Sequence, residues 1–245
     1  MKQHEAVIQT IENLGGIATL GQLNQEVLKI KDCVWQTKTP FASIRRLVQQ
    51  RPEIYKIRPG LYGLLKMKLQ NENNGILVET ANNKNSKEII EFNHSYYQGI
   101  LLQYGNMRKM ETFIPNQDKN KKFLNKTLSE LRTLDAIPNF TYPKLINRSS
   151  TIDVLWFNDR QMPHSFFEVE HSTDIQNSLL KFNDLQDFFV RMIIVADKVR
   201  KVEYENKIKY SSFKEIHQRV KFLDYESLTK QYENLVEQQK LTFVL

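Results

Sequence analysis

Residues 151–158 read TIDVLWFN and residues 165–171 read SFFEVEH. Both are apolar runs of strand length, and Asp159–His164 between them, with Pro163, supplies the turn of a hairpin. Three carboxylates stand inside these runs: Asp153, Glu168 and Glu170. A carboxylate among Ile, Val, Leu, Trp and Phe is costly to bury unless something compensates its charge. The apolar flanks argue against a solvated, salt-bridged face. Alternate residues of a strand share a side, so Glu168 and Glu170 project together, and the hairpin brings Asp153 alongside them. Three oxygen donors converging at a strand end suit a hard divalent cation, Mg²⁺ or Mn²⁺. Such an ion polarises a scissile phosphate and acidifies the water it holds.

The flanking segments alternate helix and strand patterns. Residues 91–106 (EFNHSYYQGILLQYGN) carry a helical apolar face through Tyr97, Ile100, Leu101 and Tyr104, and Met110–Ile114 reads as a short strand. The spacing predicts a helix over Phe123–Leu134. Beyond the hairpin, Thr173 or Asp174 caps a helix through Leu179, Leu180, Phe182 and Leu185. Arg191–Ala196 follows as a buried strand, Phe213–Val220 as a helix and Lys221–Leu223 as a last strand. The order α, β, α, β, β, α, β, α, β is that of an α/β layer fold. His94 and Gln98, four apart, share a helix face and either line a cleft or cap and pack. Lys181 follows the acidic strand and either reaches back to it or lies on an exposed helix face. Alternation turns His171 away from the two glutamates. The five histidines are scattered, which speaks against a histidine-based metal site. Only three of the eight glycines lie beyond residue 70 and none are clustered, so no phosphate-cradling glycine loop exists and ATP-driven translocation is not expected.

Further out, residues 1–70 hold 11 Lys+Arg against 5 Asp+Glu, whereas the whole chain of 245 residues has a formal charge of +7. Nearly all the excess positive charge therefore sits in the first 70 residues, the footprint of a small nucleic-acid-binding module. Residues 3–14 predict one helix, ended by Gly15-Gly16. Thr19 caps a second, and Thr39-Pro40 caps and starts a third with Phe41, Ile44, Leu47 and Val48 inward and Arg45 and Arg46 outward. Ile54–Ile57, a turn at Arg58-Pro59-Gly60, and Leu61–Leu64 form a basic hairpin. Three helices and a hairpin make a winged helix-turn-helix. Residues 70–87 (QNENNGILVETANNKNSK) read as a linker with room for a short strand at 75–78. No apolar run approaches the ~20 residues that cross a bilayer, and no apolar leader opens the chain, so the expectation is a cytoplasmic protein without a membrane partner. One cysteine, Cys33, excludes an internal disulfide.

Two resemblances cover about nine-tenths of the chain. The stretch KTPFASIRRLVQQRPEIYKIRPGLYGLL resembles the helix-and-wing half of HARE helix-turn-helix domains, most closely at Lys38-Thr39-Pro40, Ser43-Ile44-Arg45 and Tyr55–Gly60. It implies contact with double-stranded DNA through Lys38, Thr39, Ser43, Arg45 and Arg46 on the helix and Lys56 and Arg58 on the wing. The stretches HSYYQGILLQYGN, IDVLWFN, FFEVEHSTDIQNSLLKFNDL and MIIVADK resemble a PD-(D/E)XK restriction-endonuclease-like domain. Ile152-Asp153 stands at that family's Pro-Asp, and Glu168-Val169-Glu170 at its acid-x-Lys, with the proline absent and glutamate replacing lysine. The resemblance implies an α/β (α+β) core with a central mixed sheet and Mg²⁺ or Mn²⁺ bound by Asp153, Glu168 and Glu170. It also implies Lys181 as a migrated lysine and Gln103 where relatives place an extra glutamate. The expected layout is a winged helix-turn-helix over 1–68, a linker over 69–88 and the nuclease domain over 89–245. The expected protein is a restriction endonuclease, a homodimer with a cognate DNA methyltransferase. Two alternatives stay open: a nuclease-like DNA-binding protein that no longer cuts, and a nuclease that requires modified bases.

Overall fold

The computed structural model describes residues 1–242 and divides into two compact units, 1–89 with 229–242 and 90–228. No described helix is long and apolar enough to cross a membrane.

The first unit opens with α1 (Gln3–Asn13), β1 (Ile17–Thr19) and α2 (Leu20–Glu26), followed by α3 (Pro40–Gln50), β2 (Ile54–Arg58), β3 (Leu61–Leu64) and α4 (Lys68–Asn73). Thr19 caps α2 as its sequence predicts: its hydroxyl accepts from Gln22 N–H at 3.0 Å and Gln22 Oε1 accepts from Thr19 N–H at 2.8 Å. Thr39 behaves differently. It occupies the N-cap position of α3, but its side chain makes no capping bond, and its own N–H donates to Thr37 Oγ1 at 3.2 Å. The strands form an antiparallel sheet in the order β1-β3-β2, and Ala6, Ile11, Leu23, Ile44, Val48 and Tyr62 build the core beneath it. Gly60 turns the β2–β3 hairpin at φ +69°, and a Cβ there would lie 2.2 Å from Thr229 Cγ2. Residues 76–80 form no strand, contrary to the expectation at 75–78: Ile76 is tied by its N–H to Asn71 O instead of to a neighbouring strand.

The second unit begins within α5 (Lys87–Met107) and continues through β4 (Glu111–Phe113), β5 (Lys122–Phe123), β6 (Lys126–Thr127) and α6 (Pro143–Ser149). Next come β7 (Val154–Phe157), β8 (Pro163–Glu170), α7 (Ile175–Asn183), β9 (Arg191–Ala196), α8 (Lys201–Lys207), β10 (Val220–Asp224) and α9 (Tyr225–Thr242), the last of which enters the first unit at Thr229. The fold is mixed α/β. Its five-stranded sheet runs β10-β9-β8-β7-β4, with β8, β9 and β10 parallel and β7 antiparallel to both its neighbours. A parallel β8–β9 pair needs a crossover, and α7 provides it. The crossover buries Ile175, Leu179 and Phe182 in the same core cluster as Phe166, Leu155 and Ile194.

Two predicted helices do not form. Over 123–134 the chain makes the β5–β6 hairpin and a short 3-10 turn, because Leu124 takes a left-handed φ of +55° that ends any helix there. Over 213–220 it makes turns, with Phe213 and Ile216 buried, before β10 begins at Val220. Both segments have helix-like spacing of apolar residues, but that spacing here serves turns packed on the core.

Candidate active site

The β7–β8 register pairs Val154 with Phe167, so Asp153, one residue before β7, stands opposite Glu168. Asp153 Oδ2 accepts from Val169 N–H at 2.8 Å, and Asp153 N–H donates to Glu168 Oε1 at 3.4 Å. The face of β8 that carries Phe166, Glu168 and Glu170 lies under α7. Both glutamates are buried, at 2% and 4% exposure, and neither is bare. Ser178 Oγ donates to Glu168 Oε2 at 2.8 Å and also to Glu170. Lys181 Nζ donates to both Glu168 oxygens, at 2.8 and 3.0 Å, and to Thr151 O at 3.0 Å. Lys181 therefore reaches back to the acidic strand. Thr173 Oγ1 donates to Glu170, and Arg200 Nη1 lies 3.8 Å from Glu170 Oε2. Thr173 is thus committed to Glu170, and Asp174 is the cap of α7, accepting from Gln176 N–H at 2.8 Å.

Burial, reinforced by the Asp153 charge, raises the Glu168 carboxyl well above the ordinary glutamate value against the pull of Lys181 and Ser178. Burial raises Glu170 as well. Lys181 is raised too: burial alone would lower it, but Glu168 and Asp153 outweigh burial.

Asp153 has a second set of neighbours. Because it precedes β7 and lies outside the pleat, its carboxylate also meets α5. His94 Nε2 is 3.6 Å from Asp153 Oδ1 and 3.9 Å from Asp118 Oδ2. Gln98, four residues on along the same helix face, donates from Nε2 to Asp118 Oδ2 at 2.8 Å and to Asp153 O at 3.2 Å. Lys121 Nζ sits 2.6 Å from Asp118 Oδ1. Among the described residues, His94, Asp118 and Asp153 form the group whose ligand atoms all fall within 4.8 Å of one another, close enough to share a metal ion. Burial opposes the Asp118 charge, but the nearby His94 imidazole and the Lys121 and Gln98 donors prevail and hold its carboxyl below the usual range. Burial likewise works against a charged His94, and Asp153 and Asp118 more than offset it, so His94 is raised.

Asp118 arrives from a loop with no period to announce it. Gly99 of α5 offers bare backbone to the Phe123 ring, where a Cβ would lie 2.1 Å from Phe123 Cδ2, and Tyr96 stacks on the same ring at 5.6 Å. That anchor holds the 115–123 loop against α5 and delivers Asp118 to His94 and Gln98. Neither Asp118 nor Ser178 nor Arg200 is singled out by the sequence. Asp118 lies in the polar run PNQDKNKK, and the other two look like ordinary helix residues. Gln103 is half-buried and lies about 140° round α5 from Gln98. His171 is held by Asn93 Nδ2, 3.1 Å from its Nδ1.

In the first unit the residues expected at DNA divide into two groups. Lys38, Thr39, Arg46 and Lys56 are exposed and Ser43 is half-buried. Arg58 is only 5% exposed, donates to Ile57 O at 2.8 Å and has Glu79 4.0 Å away. Arg45 is bound by the C-terminal helix, 2.9 Å from Glu237 and 3.7 Å from Glu233.

The family model described as the type II restriction enzyme NmeDI C-terminal domain matches residues 76–245. No curated protein and no solved structure matches the chain.

Proposed function

The chain belongs to the family of the type II restriction enzyme NmeDI C-terminal domain, and from that we propose that it is a metal-dependent type II restriction endonuclease acting on double-stranded DNA. The observation that carries the catalytic reading is the Asp153–Glu168–Lys181 arrangement: an acid before one strand, an acid opposite it and a lysine brought onto that second acid from the next helix. We read this as a variant PD-(D/E)XK site in which Lys181 replaces the lysine missing at position 170.

The residues present fit a divalent cation, since carboxylate oxygens and an imidazole nitrogen converge around Asp153. A bound Mg²⁺ or Mn²⁺ would polarise the scissile phosphate and acidify the attacking water. Asp153 is the residue that would hold it, its Oδ2 fixed by Val169 N–H and its Oδ1 facing His94. Glu168, with both oxygens engaged by Lys181, orients the ammonium rather than exchanging protons with solvent. Lys181 then offers positive charge to the phosphate as negative charge develops on its oxygens. Glu170 braces the site through Ser178 and Thr173. The basic first unit, a HARE-like winged helix in this reading, supplies sequence-independent affinity through its exposed lysines and arginines. One such site cuts one strand, so a double-strand break calls for a homodimer or two visits. A cognate methyltransferase would protect the host's own sites.

The test is cleavage of supercoiled and of methylated and unmethylated genomic DNA with Mg²⁺ or Mn²⁺, followed by end sequencing. The expected result is metal-dependent cutting that Asp153→Ala and Lys181→Ala abolish while DNA binding persists. Binding without cutting by the wild-type chain in either metal would establish the inactive DNA-binding alternative.

A further inference from the structure

We propose that His94, Asp118 and Asp153 form a cation site distinct from the Glu168–Glu170 pair, and that it takes a first-row transition ion such as Mn²⁺ in preference to Mg²⁺. The catalytic consequence rests on the endonuclease reading; the binding does not.

Three features of the cluster point to a ligand. The spacing is right: metal bonds of about 2.0–2.3 Å place adjacent donors roughly 3–4 Å apart, and His94 Nε2 lies 3.6 Å from Asp153 Oδ1 and 3.9 Å from Asp118 Oδ2. A positive charge already stands there, since Lys121 Nζ is 2.6 Å from Asp118 Oδ1 on a side chain 38% exposed, free to turn into solvent when a cation replaces it. The third feature is Gln98. It is fully buried, its Nε2 is spent on Asp118 Oδ2 and Asp153 O, and its Oε1 has no hydrogen-bond partner. A buried acceptor on the side chain that joins Asp118 to the Asp153 backbone is costly to leave unmet, and water carried by a cation in the cluster would bring the donor that satisfies it.

The donor set fixes the preference. Glu168 and Glu170 already accept from Lys181, Ser178 and Thr173, which leaves Asp153 to find its metal partners on the other side. On that side one of the three donors is an imidazole nitrogen. Mg²⁺ favours oxygen and water, whereas imidazole suits the first-row transition ions.

Titration of the full-length chain with MnCl₂ and with MgCl₂, followed by calorimetry and by the electron-spin signal of free Mn²⁺, tests the site without DNA. The expected result is one Mn²⁺ per chain, bound at least tenfold more tightly than Mg²⁺. His94→Ala should weaken Mn²⁺ at least tenfold and change Mg²⁺ less than threefold, and Lys121→Met should tighten Mn²⁺. Because His94→Ala leaves a void, His94→Gln serves as the size-matched companion, with metal-free melting curves to show that both variants fold. Equal affinity for the two metals, or Mn²⁺ binding unchanged in the folded His94 variant, overturns the proposal. A chain that binds Mn²⁺ as described but never cuts DNA overturns the endonuclease reading instead and leaves this site standing.

Discussion

Lys181 Nζ bridges Glu168 and Thr151 O, 2.8 Å from one and 3.0 Å from the other, and so ties α7 to β8 and to the segment before β7 that carries Asp153. Lys181→Ala removes the only ammonium on a glutamate that is 2% exposed among the described contacts. We expect the variant to lose cleavage at least a hundredfold. Its stability should fall by roughly 2 kcal/mol, less than a fully buried pair would cost because the Lys181 side chain is 25% exposed. Plasmid nicking and chemical denaturation measure the two effects. Normal cleavage by a folded Lys181→Ala chain would remove Lys181 from the mechanism.

Glu170→Lys, which places at this position the residue common in PD-(D/E)XK sites, is expected to damage the protein rather than improve it. The new ammonium would stand in a buried position without the carboxylate's charge and face Arg200, now 3.8 Å from that carboxylate. A loss of roughly 2–4 kcal/mol follows from an uncompensated buried charge, without any gain in cleavage. Faster cutting would show that position 170 accepts a lysine.

The C-terminal helix gives the first unit a pH dependence. Glu233 is 8% exposed, and burial raises its carboxyl from 4.5 to about 7, with Glu237 adding to the rise and Arg45 and Lys56 opposing it. A carboxyl raised on folding favours the protonated native state, so its stabilising contribution is complete below about pH 4.5 and is lost as pH climbs through about 7. Glu233→Gln mimics the protonated form. Its melting temperature should match the parent near pH 4.5 and exceed it at pH 8.5, by at most roughly 3 kcal/mol of stability. A Glu233→Gln variant less stable than the parent at pH 8.5 would show that the Arg45 ion pair outweighs the cost of burying the charge.

DNA binding by the first unit should follow exposure. Lys38, Arg46 and Lys56 are exposed, so replacing any one with Ala should flatten the dependence of log K on log salt by about one unit. Arg58 is buried, and Arg58→Ala should show itself in melting temperature and leave the salt slope unchanged. Arg45→Ala should loosen the C-terminal helix by releasing Glu237. Filter binding over a salt series, with melting curves alongside, separates these outcomes. A flattened slope in Arg58→Ala at an unchanged melting temperature would overturn the assignment.

The sequence by itself determined what depends on near neighbours along the chain. The apolar runs TIDVLWFN and SFFEVEH set the hairpin, alternation puts Glu168 and Glu170 on one side, and Thr19 marks the start of α2, because pleat and cap geometry act over two to four residues. The same local patterns misread 123–134 and 213–220, where apolar residues spaced as in a helix are used by turns that pack on the core. Only the tertiary structure decided which side chains meet. Asp118 reaches His94 because the Phe123 ring fills the space left by Gly99, and Arg45 meets Glu237 across 192 residues of chain. Periodicity carries no record of such pairings: they follow from the packing of whole elements and from the cost of burying a charge without a partner.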